Sequence, residues 1–232
     1  MIQIQRVEEP IILKKNAKKW EKELLAIKAK IDVIDDKKSS QFKKIKLAYT
    51  TAEARYNHKE IKDLLKGESM FNGKYAYCES QILHIDYGHI EHFYPKSKYP
   101  EKAFDWENLL LACGVCNGIN QKGDNFPIDN NDPLLINPCE DNPDAYFTFE
   151  YDSEAELASV YGKNMKGETT EKLLKLNRRE LIRHRSEFIK KLVILASHSS
   201  QNIQAKKLLE EACEAQSEYS AFARVIFANL QF

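Results

Sequence analysis

The chain has 232 residues, of which 43% are hydrophobic and 30% are charged, and its formal net charge is zero. These values are typical of a globular protein and argue against a disordered or low-complexity chain. No apolar run reaches the length of a signal-peptide core or of a membrane span, so the sequence predicts a cytoplasmic protein that makes no membrane contact.

The zero net charge conceals a basic, acidic, basic pattern along the chain. Lysine and arginine outnumber acidic residues from Met1 to Lys66 and again from Lys163 to Lys191, whereas acidic residues dominate residues 101–156. The basic regions could hold the phosphate backbone of a nucleic acid, and the acidic region could supply ligands for a divalent cation. The alternative interpretation is that these charges lie on ordinary solvated helix faces.

Hydrophobic periodicity divides the chain into three regions. Residues 1–66 carry apolar residues at helical spacing and predict an N-terminal helical region, broken near residues 35–40. Residues 67–143 contain most of the glycines and prolines and predict a mixture of strands, loops and short helices. Residues 144–232 form a C-terminal helical region, with the helical pattern beginning at Ser153. The predicted fold class is therefore α+β.

Histidine and carboxylate side chains lie close together in the middle region. Residues 81–86 read as a strand, and the sequence HIEHFYP that follows a turn at Tyr87 and Gly88 reads as a second short strand. Side chains alternate along a strand, which places Glu91 on one face and His92 on the other. A bulge or a strand end near the following proline would bring Glu91 and His92 to a common edge.

The next segment, DWENLLLACGVCNGINQKGDNFP, adds polar residues at short intervals. Asn108 precedes an apolar run, and Cys113 and Cys116 follow it. A helix that begins just after Cys116 would present Asn117 and Asn120 on neighbouring faces of its first turn.

The strings GHIEHFYPKSKYP, WENLLLAC, CGVCN and KGDNFP together resemble the HNH (ββα-metal) nuclease superfamily. The chain is similar, more narrowly, to the HNH nuclease subunit of Septu-type anti-phage defence systems, which is also found with some retrons and whose partner is an ATPase. The motif core covers residues 75–138. The resemblance implies a small ββα-metal motif embedded between the two helical regions, and a metal-dependent endonuclease.

Phosphodiester hydrolysis needs a base that takes a proton from water and a cation that neutralises developing negative charge. The resemblance implies that His92, whose unperturbed pKa would be about 6.5, is the base. It implies that Glu91 and Asn117 bind Mg²⁺ or Mn²⁺ through oxygen, and that Asn108, the fourth residue of the catalytic set, ties down the loop that bears the histidine. His89 is a further, weaker metal-ligand candidate.

Each of these residues also has an ordinary structural interpretation. His92 could be a hydrogen-bonded core histidine, Glu91 a salt-bridge partner and Asn108 a helix cap. Asn120 is a weaker candidate than Asn117 for the second metal ligand. The basic residues of the motif that could contact phosphate are Lys96 and Lys122.

An odd number of cysteines in a chain without an export signal predicts metal binding or burial rather than a disulfide framework. Many HNH proteins hold a structural zinc ion with two CxxC pairs, and this chain keeps Cys113, Cys116 and Cys78 but has Tyr75 where a fourth cysteine would stand. Three thiolates leave zinc one ligand short. The candidates for the missing ligand are Cys139, His84 and water; otherwise the cysteines pack as small hydrophobic residues.

The sequence thus favours an endonuclease that acts on DNA or RNA as the effector of an ATPase-containing defence complex, docked through its N- or C-terminal helices. Two alternatives stay open. A non-catalytic, zinc-ribbon-like module would bind nucleic acid and a stoichiometric zinc ion without cleavage. A structural adaptor of the same complex would use its helices alone.

Overall fold

The computed structural model describes residues 1–67, 69–81, 83–199 and 202–228. Three helices precede the middle region, α1 (Ile11–Asp32), α2 (Ser40–Glu53) and α3 (Lys59–Lys66), and α1 packs against α2. The Ser39 hydroxyl accepts a hydrogen bond from the Phe42 amide and caps α2, which is how this residue type commonly starts a helix. The predicted helices of this region and the break between α1 and α2 are confirmed.

The first sheet consists of two short antiparallel strands, β1 (His89–His92) and β2 (Leu109–Ala112). His92 pairs with Leu109 and His89 pairs with Ala112 in a continuous register, and β1 ends at His92, so the structure has the strand end and not the bulge. All four residues of β2 are buried. Strand β1, which carries Glu91 and His92, is therefore paired with a strand that is buried along its whole length.

The strand predicted at residues 81–86 is wrong for the part that the structure describes. Ile82 lies outside the described residues, and residues 83–85 form a turn. The Asp86 carboxylate accepts the Gly88 amide hydrogen at 3.2 Å, and Gly88 has a φ of +67°. This local turn favours a loop, and glycine adopts such a left-handed conformation without steric cost.

The helix predicted just after Cys116 is also wrong. Residues 114–120 form a series of turns, in which the Asn117 amide bonds to the Cys113 carbonyl and the Gly118 amide bonds to the Val115 carbonyl. Gly123, with a φ of +38°, turns the chain again before it continues to a small hairpin. That hairpin pairs β3 (Ile128–Asp129) with β4 (Asp132–Pro133).

A third strand pair opens the C-terminal region, where a helix was predicted from Ser153. Strands β5 (Phe147–Asp152) and β6 (Leu157–Gly162) form an antiparallel hairpin. The alternation of buried Phe147 and Phe149 with more exposed neighbours has the period of a strand rather than of a helix. The helical prediction is therefore wrong up to residue 162.

Four helices complete the described fold: α4 (Met165–Leu174), α5 (Arg179–Ala196), α6 (Ile203–Ala212) and α7 (Ser220–Phe227). Helix α4 approaches the preceding chain so closely that a Cβ atom at Gly167 would lie 2.2 Å from the Tyr146 carbonyl oxygen. Only glycine fits there, because any other side chain would begin inside that oxygen.

One hydrophobic core draws on all three regions of the chain, from Leu13 and Leu24 of α1 through β2 to Leu174 and Phe222. The α+β fold class is confirmed, with long helices around small two-stranded sheets. No helix in the described part of the chain is long and apolar enough to span a membrane.

Candidate active site

A polar cleft of ≈ 230 Å³ lies at the end of β1, between that strand and the turns that follow β2. It brings together the two central site residues predicted from the sequence, Glu91 and His92, with the predicted Asn117. Its other lining residues are Tyr56, Ile90, Pro95, Lys96, Gly123 and Asp124. The cleft therefore combines carboxylate, imidazole and amide groups.

His92 is buried and has a defined tautomer. Its Nε2 atom lies 3.0 Å from the Ala103 carbonyl oxygen, and because a carbonyl can only accept, Nε2 carries the proton and donates. The Tyr56 ring meets the imidazole edge-on at a centroid distance of 4.6 Å. Burial lowers the pKa of His92 to about 3, with Lys96 and Lys122 adding to the lowering. The ring is therefore neutral at physiological pH, and its Nδ1 lone pair can accept a proton.

The depressed pKa of His92 predicts a pH-dependent stability of the metal-free protein. An unfolded histidine has a pKa of about 6.5, so between pH 6.5 and the folded pKa of about 3 the unfolded chain binds a proton that the folded protein does not. The free energy of unfolding therefore decreases as the pH is lowered, by about 2 kcal/mol from pH 7 to pH 5 for this residue alone. Denaturant titrations of wild type and His92→Asn in chelator should show the smaller loss in the variant. Equal losses would contradict a buried, neutral His92.

Glu91 is a buried carboxylate that faces a buried ammonium. Its Oε1 atom lies 2.7 Å from Lys122 Nζ, but the angles are poor, and Oε1 has no well-aligned hydrogen bond within the described residues. Burial raises the pKa of Glu91 to about 7, against the opposing effect of Lys122, and Asp124 adds to the increase. The carboxylate therefore keeps unused acceptor capacity and would gain from a second cation.

Asn108 joins three backbone groups around the loop that follows β1. Its Oδ1 accepts the Tyr94 amide hydrogen at 2.7 Å, and its Nδ2 donates to the Tyr94 carbonyl at 3.0 Å and to the Lys102 carbonyl at 2.9 Å. The loop so held includes Ala103, whose carbonyl receives the His92 hydrogen bond. Asn108 thus positions His92 through the loop and does not line the cleft.

The remaining sequence candidates divide between the cleft and the surface. Asn117 lines the cleft, whereas Asn120 is exposed outside it. His89 is exposed at the far end of β1, where its Nε2 would meet a Cβ on Gly114 at 3.2 Å. The structure therefore brings Asn117, but neither His89 nor Asn120, to Glu91 and His92.

Comparison with known proteins places most of the cleft residues, Glu91 and His92 among them, within a known domain. Residues 76–123 match the model of the HNH endonuclease family. The Septu protein PtuB of Bacillus mycoides (strain KBAB4) is 31% identical over 224 residues, which cover 82% of this chain and 68% of that protein. The Septu protein PtuB of Bacillus thuringiensis is 35% identical over 186 residues, which cover 70% of this chain and 67% of that protein. The chain belongs to the Septu PtuB family.

A further relative has a different name. The Septu protein PtuA of Bacillus mycoides (strain KBAB4) is 32% identical over 171 residues, which cover 61% of this PtuB-family chain but 23% of PtuA. A segment similar to this chain thus forms a minor part of a second Septu protein. Together these matches confirm the resemblance to HNH nucleases and to Septu proteins, whereas the association with retrons stays a prediction.

Two lysines of the PtuB-family cleft differ in their surroundings. Lys122, predicted as a phosphate contact, is fully buried against Glu91, so it cannot reach a phosphate on the surface and that prediction is wrong. Lys96 lines the cleft, where its ammonium lies 2.9 Å from Glu53 and 5.6 Å from the centre of the Tyr56 ring. Phosphate contact by Lys96 stays a prediction.

Asp124 is an acidic residue of the cleft that sequence reasoning missed. It follows Lys122 by two residues in the string KGD, and it lines the same cleft as Glu91. The available signal was the acidic residue at the end of that string. Because the preceding turns were predicted to be a helix, the position of Asp124 relative to β1 could not be inferred.

Three buried cysteines form a group within the HNH-like segment. The sulfur atoms of Cys78, Cys113 and Cys116 are all buried and lie within 4.8 Å of one another, and Cys78 Sγ is 3.9 Å from Cys113 Sγ. Hydrogen bonds from the other two thiols lower the pKa of Cys78. Three sulfur atoms at these distances could hold a metal ion.

In the described part of the chain, the surroundings of this cysteine group supply a nearby cation and no fourth cysteine or histidine ligand. Within the described residues, the group contains neither Cys139 nor His84. Tyr75 is buried and donates its hydroxyl hydrogen to the Asp86 carbonyl at 3.0 Å. The guanidinium of Arg178, just before α5, lies 3.7 Å from Cys116 Sγ, where a positive charge would offset the negative charge of thiolates.

Proposed function

We propose that this PtuB-family protein is a metal-dependent endonuclease that hydrolyses phosphodiester bonds of DNA or RNA. The observation that carries the proposal is the state of His92. Its Nε2 is bound to the Ala103 carbonyl, so the free Nδ1 of a neutral ring can act as general base beside the buried carboxylate of Glu91. An ordinary core histidine would not require a polar cleft and a second titratable group next to it.

His92, Asn108 and Asn117 contribute in different ways. His92 accepts the proton of the attacking water, and the Nε2 hydrogen bond fixes the ring orientation while its Nδ1 becomes protonated. Asn108 holds the loop that carries the accepting carbonyl. Asn117 lines the cleft from the turns that follow β2 and would offer its amide oxygen there.

The donor set of the cleft suits a hard divalent cation. Glu91 and Asn117 would hold Mg²⁺ or Mn²⁺ through oxygen, with Asp124 as a further oxygen donor. The Glu91 carboxylate is buried, lines the cleft and keeps acceptor capacity beyond its contact with Lys122, which supports this fit. When bound, the ion would neutralise negative charge on the phosphate and on the leaving oxygen. His89 would have at most a supporting role, since it is exposed outside the cleft.

Removal of divalent metal is the direct test. We expect the purified protein, alone or with its partner, to cleave plasmid DNA or RNA with Mg²⁺ or Mn²⁺, to lose cleavage in excess chelator and to regain it when metal is restored. Gel analysis of the products measures the outcome. Tight nucleic-acid binding with stoichiometric zinc and no cleavage under any of these conditions would favour the zinc-ribbon-like alternative instead.

We also propose that the protein acts as the effector subunit of an ATPase-containing anti-phage complex. Its PtuB family supports a role in Septu defence, and the similarity to a segment of PtuA supports an association between the two kinds of chain. Helix α6 leaves Ile203 and Leu208 exposed, which offers apolar surface for docking. Co-expression with the ATPase followed by size-exclusion chromatography tests the complex. A cytoplasmic location stays a prediction.

A further inference from the structure

Lys122 is the most completely buried charged group at the candidate active site. It has no exposed surface, and its ammonium lies 2.7 Å from Glu91 Oε1. The same nitrogen donates to the His92 carbonyl at 2.9 Å and to the Gly123 carbonyl at 3.3 Å. An ammonium group has three donors and no acceptor, so its surroundings, two carbonyl acceptors and one carboxylate oxygen, match its donors in number.

The position of Lys122 joins the two sides of the cleft. Its backbone belongs to the turn segment that carries Asn117 and Asp124, whereas its ammonium reaches the carboxylate and the carbonyl of two successive residues of β1. The Phe126 ring lies 5.9 Å from the same nitrogen. Because backbone carbonyls and an aromatic ring surround the ammonium, its position is fixed by the fold.

We propose that Lys122 is a positioning residue for the metal ligand Glu91, which fixes Oε1 and leaves the other carboxylate oxygen to the metal ion. The inference rests on the proposed function, since it concerns the same metal site. A carboxylate offers about four lone-pair positions on two oxygen atoms, so an ammonium and a metal ion can share it.

The alternative is that the ammonium occupies the place of the metal ion and leaves when the ion binds. Two contacts argue against this. The His92 and Gly123 carbonyls hold the ammonium independently of Glu91, and the side chain is enclosed on all sides. Departure would remove this donor from the buried bond to the His92 carbonyl and from the part-buried bond to the Gly123 carbonyl, which is unfavourable. The two possibilities predict opposite changes in metal affinity.

Calorimetric titration with Mn²⁺ distinguishes them. Lys122→Met removes the charge but keeps an unbranched side chain of similar length. The matched control is Lys98→Met, at an exposed position of the loop that follows β1. We expect Lys122→Met to bind Mn²⁺ at least tenfold more weakly than wild type, and Lys98→Met to bind it as wild type does. Unchanged or tighter binding in Lys122→Met would overturn the proposal.

Thermal unfolding without metal tests whether Lys122 acts through Glu91. We expect Lys122→Met to lower the melting temperature strongly because it leaves a buried carboxylate unpaired, and we expect the double variant Glu91→Gln/Lys122→Met to recover part of the loss. A single variant that fails to fold while the double variant folds supports the same coupling. The inference would be overturned if Lys122→Met lowered the melting temperature equally in wild type and in Glu91→Gln. It would also be overturned if the double variant failed to fold while Glu91→Gln folds.

The same titrations separate this inference from the proposed function. If wild type and Glu91→Gln bind Mn²⁺ equally, Glu91 is not a metal ligand and the proposed metal site itself is wrong. If Glu91→Gln loses binding while Lys122→Met retains wild-type affinity, the metal site stands and only the role of Lys122 is wrong.

Discussion

Replacement of His92 by alanine is expected to lower the rate of nucleic-acid cleavage by about 10²- to 10⁴-fold, the usual contribution of a general base. The imidazole is neutral and its Nε2 is held by the Ala103 carbonyl, so alanine removes the proton acceptor and leaves the metal ligands in place. Single-turnover cleavage with saturating Mn²⁺ measures the chemical step, and calorimetry should show Mn²⁺ affinity within a fewfold of wild type.

His84→Ala is the matched control for this prediction. His84 is an exposed histidine of the turn that precedes β1 and lies outside the cleft. We expect this variant to cleave at the wild-type rate, which would exclude a general effect of losing a histidine from the domain. Cleavage by His92→Ala at more than about a tenth of the wild-type rate would remove His92 from the role of base.

The sequence located the residues of the site better than it located the elements that carry them. Glu91, His92 and Asn117 were chosen from ordered motif strings, and they line one cleft. Asn108 was expected to tie down a loop, and its hydrogen bonds to Tyr94 and Lys102 do so. Their functional roles came from resemblance to a family and stay proposals, because a string of residues contains no distances.

The errors in secondary structure have a common physical cause. The segment after Cys116 has turn-forming residues and a buried lysine that must reach Glu91, so its conformation depends on a contact with β1. Similarly, the predicted strand at residues 81–86 is replaced by a turn that the Tyr75 hydroxyl and the Asp86 side chain stabilise. Tertiary contacts of this kind override local propensity, and periodicity within a short segment does not contain them.

The charge of the chain illustrates the same limit. Lys96 and Lys122 were proposed as phosphate contacts because they are basic residues of the motif. In the fold, Lys122 of the acidic region neutralises Glu91 instead, and Lys96 pairs with Glu53 of the N-terminal region. The net charge of a chain segment therefore describes only the average electrostatic potential of that segment. The role of a single charged residue depends on the partner that the fold places beside it.

Asn108→Ala is expected to destabilise the folded protein by about 3 kcal/mol, because it removes three hydrogen bonds of a buried side chain, worth about 1 kcal/mol each, and leaves their backbone partners unsatisfied. The amide of Tyr94 and the carbonyls of Tyr94 and Lys102 all lose the same side chain. For a chain of this length such a loss corresponds to a decrease in melting temperature of roughly 6–12 °C. Denaturant titration of the metal-free protein measures the free energy directly.

A structural clamp at Asn108 also predicts a particular relation between stability and activity. Movement of the loop would carry the Ala103 carbonyl away from His92 Nε2, so cleavage should fall even at temperatures where Asn108→Ala is fully folded. Asn120→Ala, at an exposed position outside the cleft, should change neither property. An Asn108→Ala variant with the melting temperature of wild type but a low cleavage rate would contradict this structural role, since it would assign Asn108 a direct role in the reaction.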